Sequence, residues 1–226
     1  SPYCITKKGL AGTIGDIGGF SLNTHKIINS GEGGIIVTNN NKLAKRMRLL
    51  RNHAEVTNKF SKKKDLANMI GFNFRMGEIE AAIGIAQYKK IKNLLYKRQR
   101  LLNFLTKNLI NLKGLILPPV EKKFQNNFYI YPIKLEDNKI KINREKIIQL
   151  LKKEGVQHIC KGYANLHLLR AFQKKIAFGT KGFPWNLNKK KIIYKKGICP
   201  VAENLHDKTF FMIEVCLFEL NEKNIR

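Results

Sequence analysis

Acidic side chains are scarce in this sequence. Its 226 residues contain 16 Asp and Glu against 43 Lys and Arg, which gives a formal net charge of +27 at pH 7. A surplus of this size is typical of nucleic-acid-binding proteins, but the lysines recur along the whole length instead of forming one patch. The sequence also lacks a recognition helix, a zinc-finger spacing and the aromatic-basic alternation that stacks on bases. We therefore predict a solvated basic surface and no nucleic-acid partner.

Cysteine is also rare, and its spacing excludes several kinds of site. The four cysteines are Cys4, Cys160, Cys199 and Cys216. They form no Cys-x-x-Cys pair and no metal-like spacing with histidine. We therefore predict no metal site, and interpret the cysteines as reduced, mostly buried thiols of a cytoplasmic protein.

Long apolar runs are missing as well. No window approaches the ~20 apolar residues that a membrane-spanning helix needs, so we predict no transmembrane segment. The first residues have neither the charged start nor the apolar core of a signal peptide. Hydrophobic residues nonetheless make up 43% of the chain. That fraction is enough for the core of one large domain or two small ones, so we expect a globular protein.

One lysine stands apart from the others. Most lysines lie in charged runs such as 62–64 and 189–191, where water surrounds each ammonium. Lys26 instead precedes an apolar pair and the turn Gly31-Glu32-Gly33-Gly34, which leads into Ile35-Ile36-Val37. This β-branched run predicts a buried strand. A lysine held against apolar structure tends to lose its proton, and the neutral amine can then form an imine with an aldehyde.

Several further motifs follow one another in a fixed order around Lys26. They are Gly15-Asp16-Ile17-Gly18-Gly19-Phe20-Ser21, the glycine turn, Gly71-Phe72-Asn73-Phe74-Arg75-Met76, Glu78-Ile79-Glu80-Ala81-Ala82-Ile83-Gly84 with Gln87, Tyr163 with Leu166-His167, and Cys199-Pro200-Val201-Ala202-Glu203. In their order and spacing these motifs resemble the DegT/DnrJ family of sugar aminotransferases over essentially the whole chain. That family consists of pyridoxal-phosphate enzymes with the aspartate aminotransferase fold, called fold-type I. Leu22 departs from the family, which usually has Phe there, and this change is expected to affect packing rather than chemistry.

The resemblance implies a cofactor and the residues that hold it. Lys26 would bind the aldehyde of pyridoxal 5'-phosphate and then move protons as a general acid and base. Ser21 would donate to the phosphate of the cofactor, although serines at such positions are usually turn residues. Asn73 and Arg75 would reach the phosphate end of the neighbouring subunit's site, which implies a homodimer.

Two further residues are implied to contact the sugar. Tyr163 and His167 would line the sugar pocket, but a histidine beside an apolar stretch is more often a satisfied core residue. His25 has a different standing, because the family's dehydratases have a histidine in place of the lysine. Lys26 keeps the distance from Ser21 that the aminotransferases show, so His25 is interpreted as a neighbour of the reactive residue.

The resemblance also implies an α/β fold that is the C-terminal part of a fold-type I transferase. Residues 1–112 are expected to form the remainder of the large cofactor-binding domain with a long connecting helix. Residues 113–226 are expected to form a small α+β domain, truncated at its end. The family's upstream half carries the phosphate-binding loop, the ring-stacking aromatic and the carboxylate that keeps the pyridine nitrogen protonated. We therefore expect this chain to be a fragment that is inactive on its own.

Hydrophobic periodicity and capping residues predict the elements of the first part. Strands are predicted at 14–20 and 34–38, and a charged loop at 61–65. A helix should follow Asn39-Asn40-Asn41, with Leu43, Met47 and Leu50 on its inner face. One long helix, or two abutting ones, should run from Gly77 to about Asn108.

The second part is predicted to alternate strands and helices. Phe128–Leu135 is typical of a strand, with Pro132 at an edge position or a bulge. Asn143 should cap a helix that ends at Gly155. Further strands are predicted at 156–160 and 215–218. The inward-facing residues of the helix should be Ile147, Ile148, Leu150 and Leu151.

Together these features predict a pyridoxal-phosphate-dependent aminotransferase. It would convert a keto-sugar, expected to be nucleotide-linked, to an amino-sugar with glutamate or glutamine as donor. The pathway would be the biosynthesis of surface polysaccharide or secondary-metabolite sugars, and the basic surface would attract an anionic nucleotide-sugar. Two alternatives stay open. One is a pyridoxal-phosphate-dependent sugar dehydratase, which Lys26 disfavours, and the other is a non-catalytic binding or regulatory protein of the same fold.

Overall fold

The computed structural model of the protein describes residues 2–55, 69–120 and 127–215. These residues fall into two compact units. The first takes in 2–55, 69–104, 120 and 127–129, and the second takes in 105–119 and 130–215. The boundary predicted at residue 112 lies close to the first passage of the chain between the units.

The first unit contains two antiparallel hairpins. Strand β1 (Ile5–Thr6) pairs with β2 (Gly9–Leu10). Strand β3 (Gly18–Ser21) pairs with β4 (Gly34–Val37), with Gly18 opposite Val37 and Ser21 opposite Gly34. Both strands of the second hairpin were predicted, although β3 begins four residues later than expected. The lysine loop, which we define as residues 22–33, therefore connects two paired strands.

The predicted burial of β4 is wrong. Ile35 is 44% exposed and Ile36 is 61% exposed. Among the described residues β4 pairs with β3 alone, so this part of the chain forms a two-stranded ribbon without a covering layer. A β-branched run predicts a strand from its backbone preference, but burial depends on what packs against the strand.

The two helices of the first unit agree with the prediction. Helix α1 (Asn41–Arg51) begins after Asn40, whose Oδ1 accepts hydrogen bonds from the N–H groups of Lys42 and Leu43 at 2.9 and 3.2 Å. Helix α2 (Glu78–Leu109) is one continuous helix of 32 residues. The acidic side chains of Glu78 and Glu80 in its first turn interact favourably with the positive end of the helix dipole.

The core of the first unit joins the lysine loop to α2. Leu22, Ile27 and Ile28 of the loop pack with Ile91 and Leu95 of α2, and all of them are buried. Isoleucine and leucine at 91 and 95 are one helical turn apart, so they present a single apolar stripe. This packing holds the start and the middle of the lysine loop against α2.

The second unit is built on a four-stranded antiparallel sheet of order β5-β6-β8-β7. Its strands are β5 (Leu115–Ile116), β6 (Ile130–Leu135), β7 (Ile159–Cys160) and β8 (Phe210–Glu214). The buried side chains of β6 and β8 form the core of this unit, and the hydroxyls of Tyr131 and Thr106 lie 2.9 Å apart within it.

Two strand predictions need correction. Pro132 lies in an inner strand of the sheet, yet β5 pairs only with Lys134 and Leu135, so at Pro132 the recorded partner strand is β8 alone. The missing N–H of proline is therefore tolerated. Strand β8 begins at Phe210, five residues before the strand predicted at 215–218, of which only residue 215 is described. The predicted charged loop at 61–65 lies outside the described residues.

Helix α3 (Arg144–Lys153) begins and ends where predicted. Asn143 Oδ1 accepts a hydrogen bond from the Lys146 N–H at 2.8 Å, and Gly155 has a φ of +90° just beyond the helix. The inward position of Leu150 is wrong, because this residue is 42% exposed. It lies two residues from buried Ile148, hence about 200° around the helix axis.

The remaining elements are short. Helices α4 (Arg170–Lys174) and α5 (Pro200–Asn204), the 3-10 turns at Leu166–Leu168 and Trp185–Leu187, and the π-helical turn at Leu205–Thr209 lie between β7 and β8. The buried guanidinium of Arg144 donates hydrogen bonds to the carbonyls of His206, Asp207 and Phe210 and so secures the π-helical turn. No helix in the described part of the chain is long and apolar enough to cross a membrane.

Candidate functional site

The lysine loop is closed by backbone hydrogen bonds. The Leu22 N–H donates to the Gly33 carbonyl at 2.9 Å, and the Ser30 N–H donates to the Leu22 carbonyl at 2.9 Å. The Ser30 hydroxyl also donates to the Glu32 carbonyl at 2.9 Å. The two ends of the loop are therefore tied together next to the paired strands.

The glycine turn serves this closure. Gly31 and Gly33 have φ values of +85° and +149°, a region that L side chains rarely adopt. A Cβ added at Gly33 would lie 2.8 Å from Met76 Cε and 3.0 Å from Ser30 Oγ. Between them, the Glu32 carboxylate accepts a hydrogen bond from Asn23 Nδ2 at 2.5 Å. Glu32 thus ties the loop together.

Lys26 lies in a turn directly before two buried isoleucines. Its N–H donates to the Asn23 carbonyl at 2.9 Å. Ile27 and Ile28 follow directly and are 4% and 5% exposed. The backbone of Lys26 is consequently held in place, while its four-carbon side chain is half-buried.

An aromatic residue that the sequence analysis did not single out contacts the amine of Lys26. Lys26 Nζ lies 3.9 Å from the centroid of the Tyr129 ring. The same ring lies 5.6 Å from that of His25 and packs against the core cluster of the first unit. Tyr129 lay within the strand predicted at Phe128–Leu135, but in the structure that strand begins one residue later, at Ile130.

Ser21, Lys26 and Tyr129 line a cavity of about 980 Å³ in the first unit. Apolar side chains from the hairpins and from α2 also contribute to its walls. Its volume is that of a small-molecule site. The structure thus brings the predicted Ser21 and Lys26 together in one cavity.

The chemistry of this cavity fits pyridoxal 5'-phosphate. Lys26 supplies a primary amine that can bond to the aldehyde. Ser21 Oγ accepts a hydrogen bond from the Asn23 N–H at 3.2 Å, which is the turn role that the sequence analysis kept as the alternative to phosphate binding. That bond uses the oxygen as acceptor and leaves its O–H to donate to a phosphate oxygen. The apolar walls suit an aromatic ring.

Asn73 and Arg75 lie elsewhere in the first unit. Both are exposed, and neither belongs to the described residues that line the cavity. Asn73 forms a β-bridge with Asn52, and Arg75 Nη1 donates to Asn52 Oδ1 at 2.7 Å. The segment of both residues is thereby held against the end of α1, with its side chains toward solvent.

Tyr163 and His167 belong to the second unit and differ in exposure. Tyr163 is 75% exposed. The side chain of His167 is 11% exposed, and its Nε2 lies 2.8 Å from Glu203 Oε1. This is the satisfied core position that the sequence analysis kept as the alternative for His167.

Glu203 is a buried carboxylate with three hydrogen-bonding partners. Besides His167, it accepts hydrogen bonds from the N–H groups of Gly197 at 2.8 Å and Cys199 at 3.2 Å. Burial opposes ionisation of this carboxyl, but the hydrogen bonds from Gly197, His167 and Cys199 outweigh it and lower the pKa of Glu203. The carboxylate therefore joins three segments of the second unit.

No cluster of His, Cys, Asp and Glu among the described residues has the composition of a metal site. Cys160 and Cys199 are thiols, partly rather than mostly buried. Burial and the nearby Glu214 carboxylate raise the pKa of the Cys160 thiol.

Comparison with known proteins places these features in a family. The sequence model of the DegT/DnrJ/EryC1/StrS aminotransferase family matches residues 4–208. GDP-perosamine synthase of Caulobacter vibrioides is 33% identical over 165 residues, covering 69% of this chain and 43% of that protein. The chain spans about half the length of the curated relatives it matches.

Solved structures show the same relationship. PseC of Helicobacter pylori, an aminotransferase involved in the biosynthesis of pseudoaminic acid, superposes with a TM-score of 0.72 at 22% identity and covers 100% of this chain and 55% of that one. DesI, solved with its TDP-sugar product, gives a TM-score of 0.76 at 21% identity and covers 100% of this chain and 52% of that one. These likenesses confirm the predicted fold, part of a fold-type I transferase.

Proposed function

We propose, from the premise that this chain belongs to the DegT/DnrJ/EryC1/StrS aminotransferase family, that the whole protein is a sugar aminotransferase dependent on pyridoxal 5'-phosphate. It converts the ketone of a nucleotide-linked sugar to an amine, with glutamate or glutamine as donor. The observation that carries the proposal is the Lys26 amine in a cavity that also presents the Ser21 hydroxyl. The names of relatives such as GDP-perosamine synthase support a nucleotide-sugar substrate.

The cofactor and Lys26 have separate tasks in this reaction. When bound, pyridoxal 5'-phosphate supplies the electron sink that stabilises a carbanion at the carbon that loses its proton. Lys26 would hold the aldehyde until the donor amine replaces it, and its freed Nζ would then take the proton from the α-carbon of the donor and deliver it to the former aldehyde carbon, two bonds away across the shared nitrogen. This transfer requires that the backbone of Lys26 stays in place while Nζ moves a short distance. The buried Ile27-Ile28 pair holds the backbone, and the flexible lysine side chain allows Nζ to move.

Ser21 orients the cofactor from the end of β3. Its backbone is fixed by pairing with Gly34, so its hydroxyl has a defined position relative to Lys26. The O–H would donate to a phosphate oxygen of the bound cofactor, and a hydrogen bond to such an anionic acceptor is stronger than one to a neutral acceptor.

The other predicted residues complete the site in the assembled enzyme. We assign Asn73 and Arg75 to the phosphate end of the partner subunit's site, because both are exposed and lie away from the chain's own cavity. We assign Tyr163 to contact with the sugar, which its exposure permits. We assign His167 to the same sugar pocket, where its contact with Glu203 would fix the orientation of its ring.

The test is to label the reactive lysine in the whole protein. Borohydride reduction after loading with pyridoxal 5'-phosphate should attach the cofactor to Lys26, as shown by peptide mapping. Lys26→Arg keeps the positive charge but cannot form the imine, so it should lose the label and lower the rate of amino transfer at least about a hundredfold. Lys42→Arg, on exposed α1, is the matched control and should change neither.

Two results would contradict the assignment in different ways. A label on another lysine would remove Lys26 from the chemistry. A label on Lys26 with no spectral response to any amino donor would leave the cofactor site in place and exclude the aminotransferase, which would favour the non-catalytic binding protein.

A further inference from the structure

We propose that Tyr129 is a positioning residue for Lys26. The face of its ring holds the lysine ammonium whenever this amine is not covalently engaged. The timing of this role rests on the proposed function, since only a lysine that leaves and returns needs a resting place. The contact itself rests on the geometry of the first unit.

The geometry is that of a cation held on an aromatic face. Lys26 Nζ lies 3.9 Å from the centroid of the Tyr129 ring, well inside the range in which the ring quadrupole attracts an ammonium. The ring cannot turn freely, because it packs against the core cluster and lies 5.6 Å from the ring of His25. Lys26 therefore has a fixed surface on which to rest inside the cavity.

Other lysines of the chain are held differently. Lys139, Lys161 and Lys196 each lie within 3.3 Å of a carboxylate oxygen, of Glu136, Glu145 and Asp207 respectively. Among the described residues Lys26 has no such acidic partner. Its contact is the Tyr129 ring, and both residues line the cavity to which the proposed reaction is assigned.

A ring is suited to this task in a way that a carboxylate is not. A carboxylate can accept the proton of the ammonium, and it competes with the substrate for the amine by forming a strong, directional hydrogen bond. An aromatic face attracts the charge without accepting a proton. It therefore places Nζ, lets it leave when an aldehyde or a donor amine arrives, and takes no part in the proton transfer.

The first experiment measures the contact without any cofactor. The whole protein, freed of pyridoxal 5'-phosphate, is given a short pulse of formaldehyde and cyanoborohydride near neutral pH, and the methylation of Lys26 is quantified by peptide mapping against exposed lysines. The contact holds Nζ against the face of the Tyr129 ring and away from the reagent. Tyr129→Leu should thus raise the labelling of Lys26 about two- to fivefold, as expected for an exposed cation–π contact.

Two variants make the result specific. Tyr129→Phe keeps the aromatic face and should label like the native protein. Tyr96→Leu makes the same chemical change at an exposed position of α2 and should leave Lys26 unaffected. Unchanged labelling in Tyr129→Leu, or a Tyr129→Phe variant that behaves like Tyr129→Leu, would overturn the proposal.

The second experiment follows the loaded enzyme. Tyr129→Leu should lower the rate constant of the glutamate half-reaction severalfold while the glutamate concentration at half-saturation stays the same, and Tyr129→Phe should restore the rate. A change confined to half-saturation would assign Tyr129 to substrate binding and overturn the positioning role. If native protein shows no half-reaction but the labelling result holds, the proposed function fails while the contact stands.

Discussion

Glu203 is a buried residue of the second unit whose ionised form is held by hydrogen bonds. Its pKa is lowered in the folded protein, so its carboxylate stabilises the fold fully above the ordinary value of 4.5, and this contribution is lost as the pH falls through the lower, folded-state pKa. We predict that Glu203→Gln unfolds at a lower urea concentration than the native chain at pH 7. The difference should shrink below about pH 4.

The measurement can use Trp185, the single tryptophan of the chain, whose Nε1 lies 3.3 Å from the Tyr194 hydroxyl in the second unit. Its fluorescence should follow unfolding of the Glu203 surroundings. Glu154→Gln, an exposed change at the end of α3, is the control and should keep the native pH dependence. Parallel pH curves for Glu203→Gln and native protein would show that the carboxylate charge has no such role.

Prediction of single residues succeeded where the role was local. The turn contact of Ser21, kept as the alternative to phosphate binding, joins residues only two positions apart. Tyr129 was missed because its contact with Lys26 joins residues more than one hundred positions apart. The role of the buried Arg144 was missed for the same kind of reason, because the carbonyls that accept its hydrogen bonds lie more than 60 residues further along the chain.

The lysine loop makes a clear prediction at the level of an element. Gly33→Ala should destabilise the loop by about 1–3 kcal/mol, because alanine would be strained at a φ of +149° and its Cβ would meet Met76 and Ser30. The displaced loop should also bring Lys26 out of register with Ser21. Urea unfolding measures the first effect, and borohydride labelling of Lys26 measures the second.

Gly15→Ala is the matched control for this change. Gly15 has no heavy atom within 4 Å of an added Cβ, so the substitution should alter the free energy of unfolding by less than about 1 kcal/mol. Equal stability of the two variants would mean that the conformation at Gly33 is not what keeps the loop closed.

Elements were predictable to the extent that their signals are local. Asn40 and Asn143 cap α1 and α3 as expected, because a cap and its partners lie within three residues. The burial of Ile35 and Ile36 was not predictable, since it depends on the layers that cover the strand. The start of β8 was misplaced for a related reason: its strand partners lie far away in the sequence.

At the scale of the whole molecule, the exposed Asn73 and Arg75 lead to a test of assembly. If they complete the site of a partner subunit, a heterodimer of Lys26→Ala and Asn73→Ala subunits contains one site with both defects and one with neither. We predict that mixing the two inactive variants restores up to half of the native activity per heterodimer. The measurement is amino transfer before and after subunit exchange.

Each variant alone, carried through the same exchange, is the control. If Asn73 served the site of its own subunit, both sites of the heterodimer would carry one defect, and mixing would restore nothing.

The closed lysine loop also has a consequence for the order of folding. The hydrogen bonds from Leu22 to Gly33 and from Ser30 to Leu22 span few residues, so the loop can close within microseconds of the hairpin's formation. Its contacts with Ile91, Leu95 and Tyr129 close far longer stretches of chain and must come later. The backbone around the lysine thus closes early, and its contacts with α2 and Tyr129 form late. A nascent chain would carry a closed but unoriented loop until residue 129 has left the ribosome, and only then could the amine acquire its defined place.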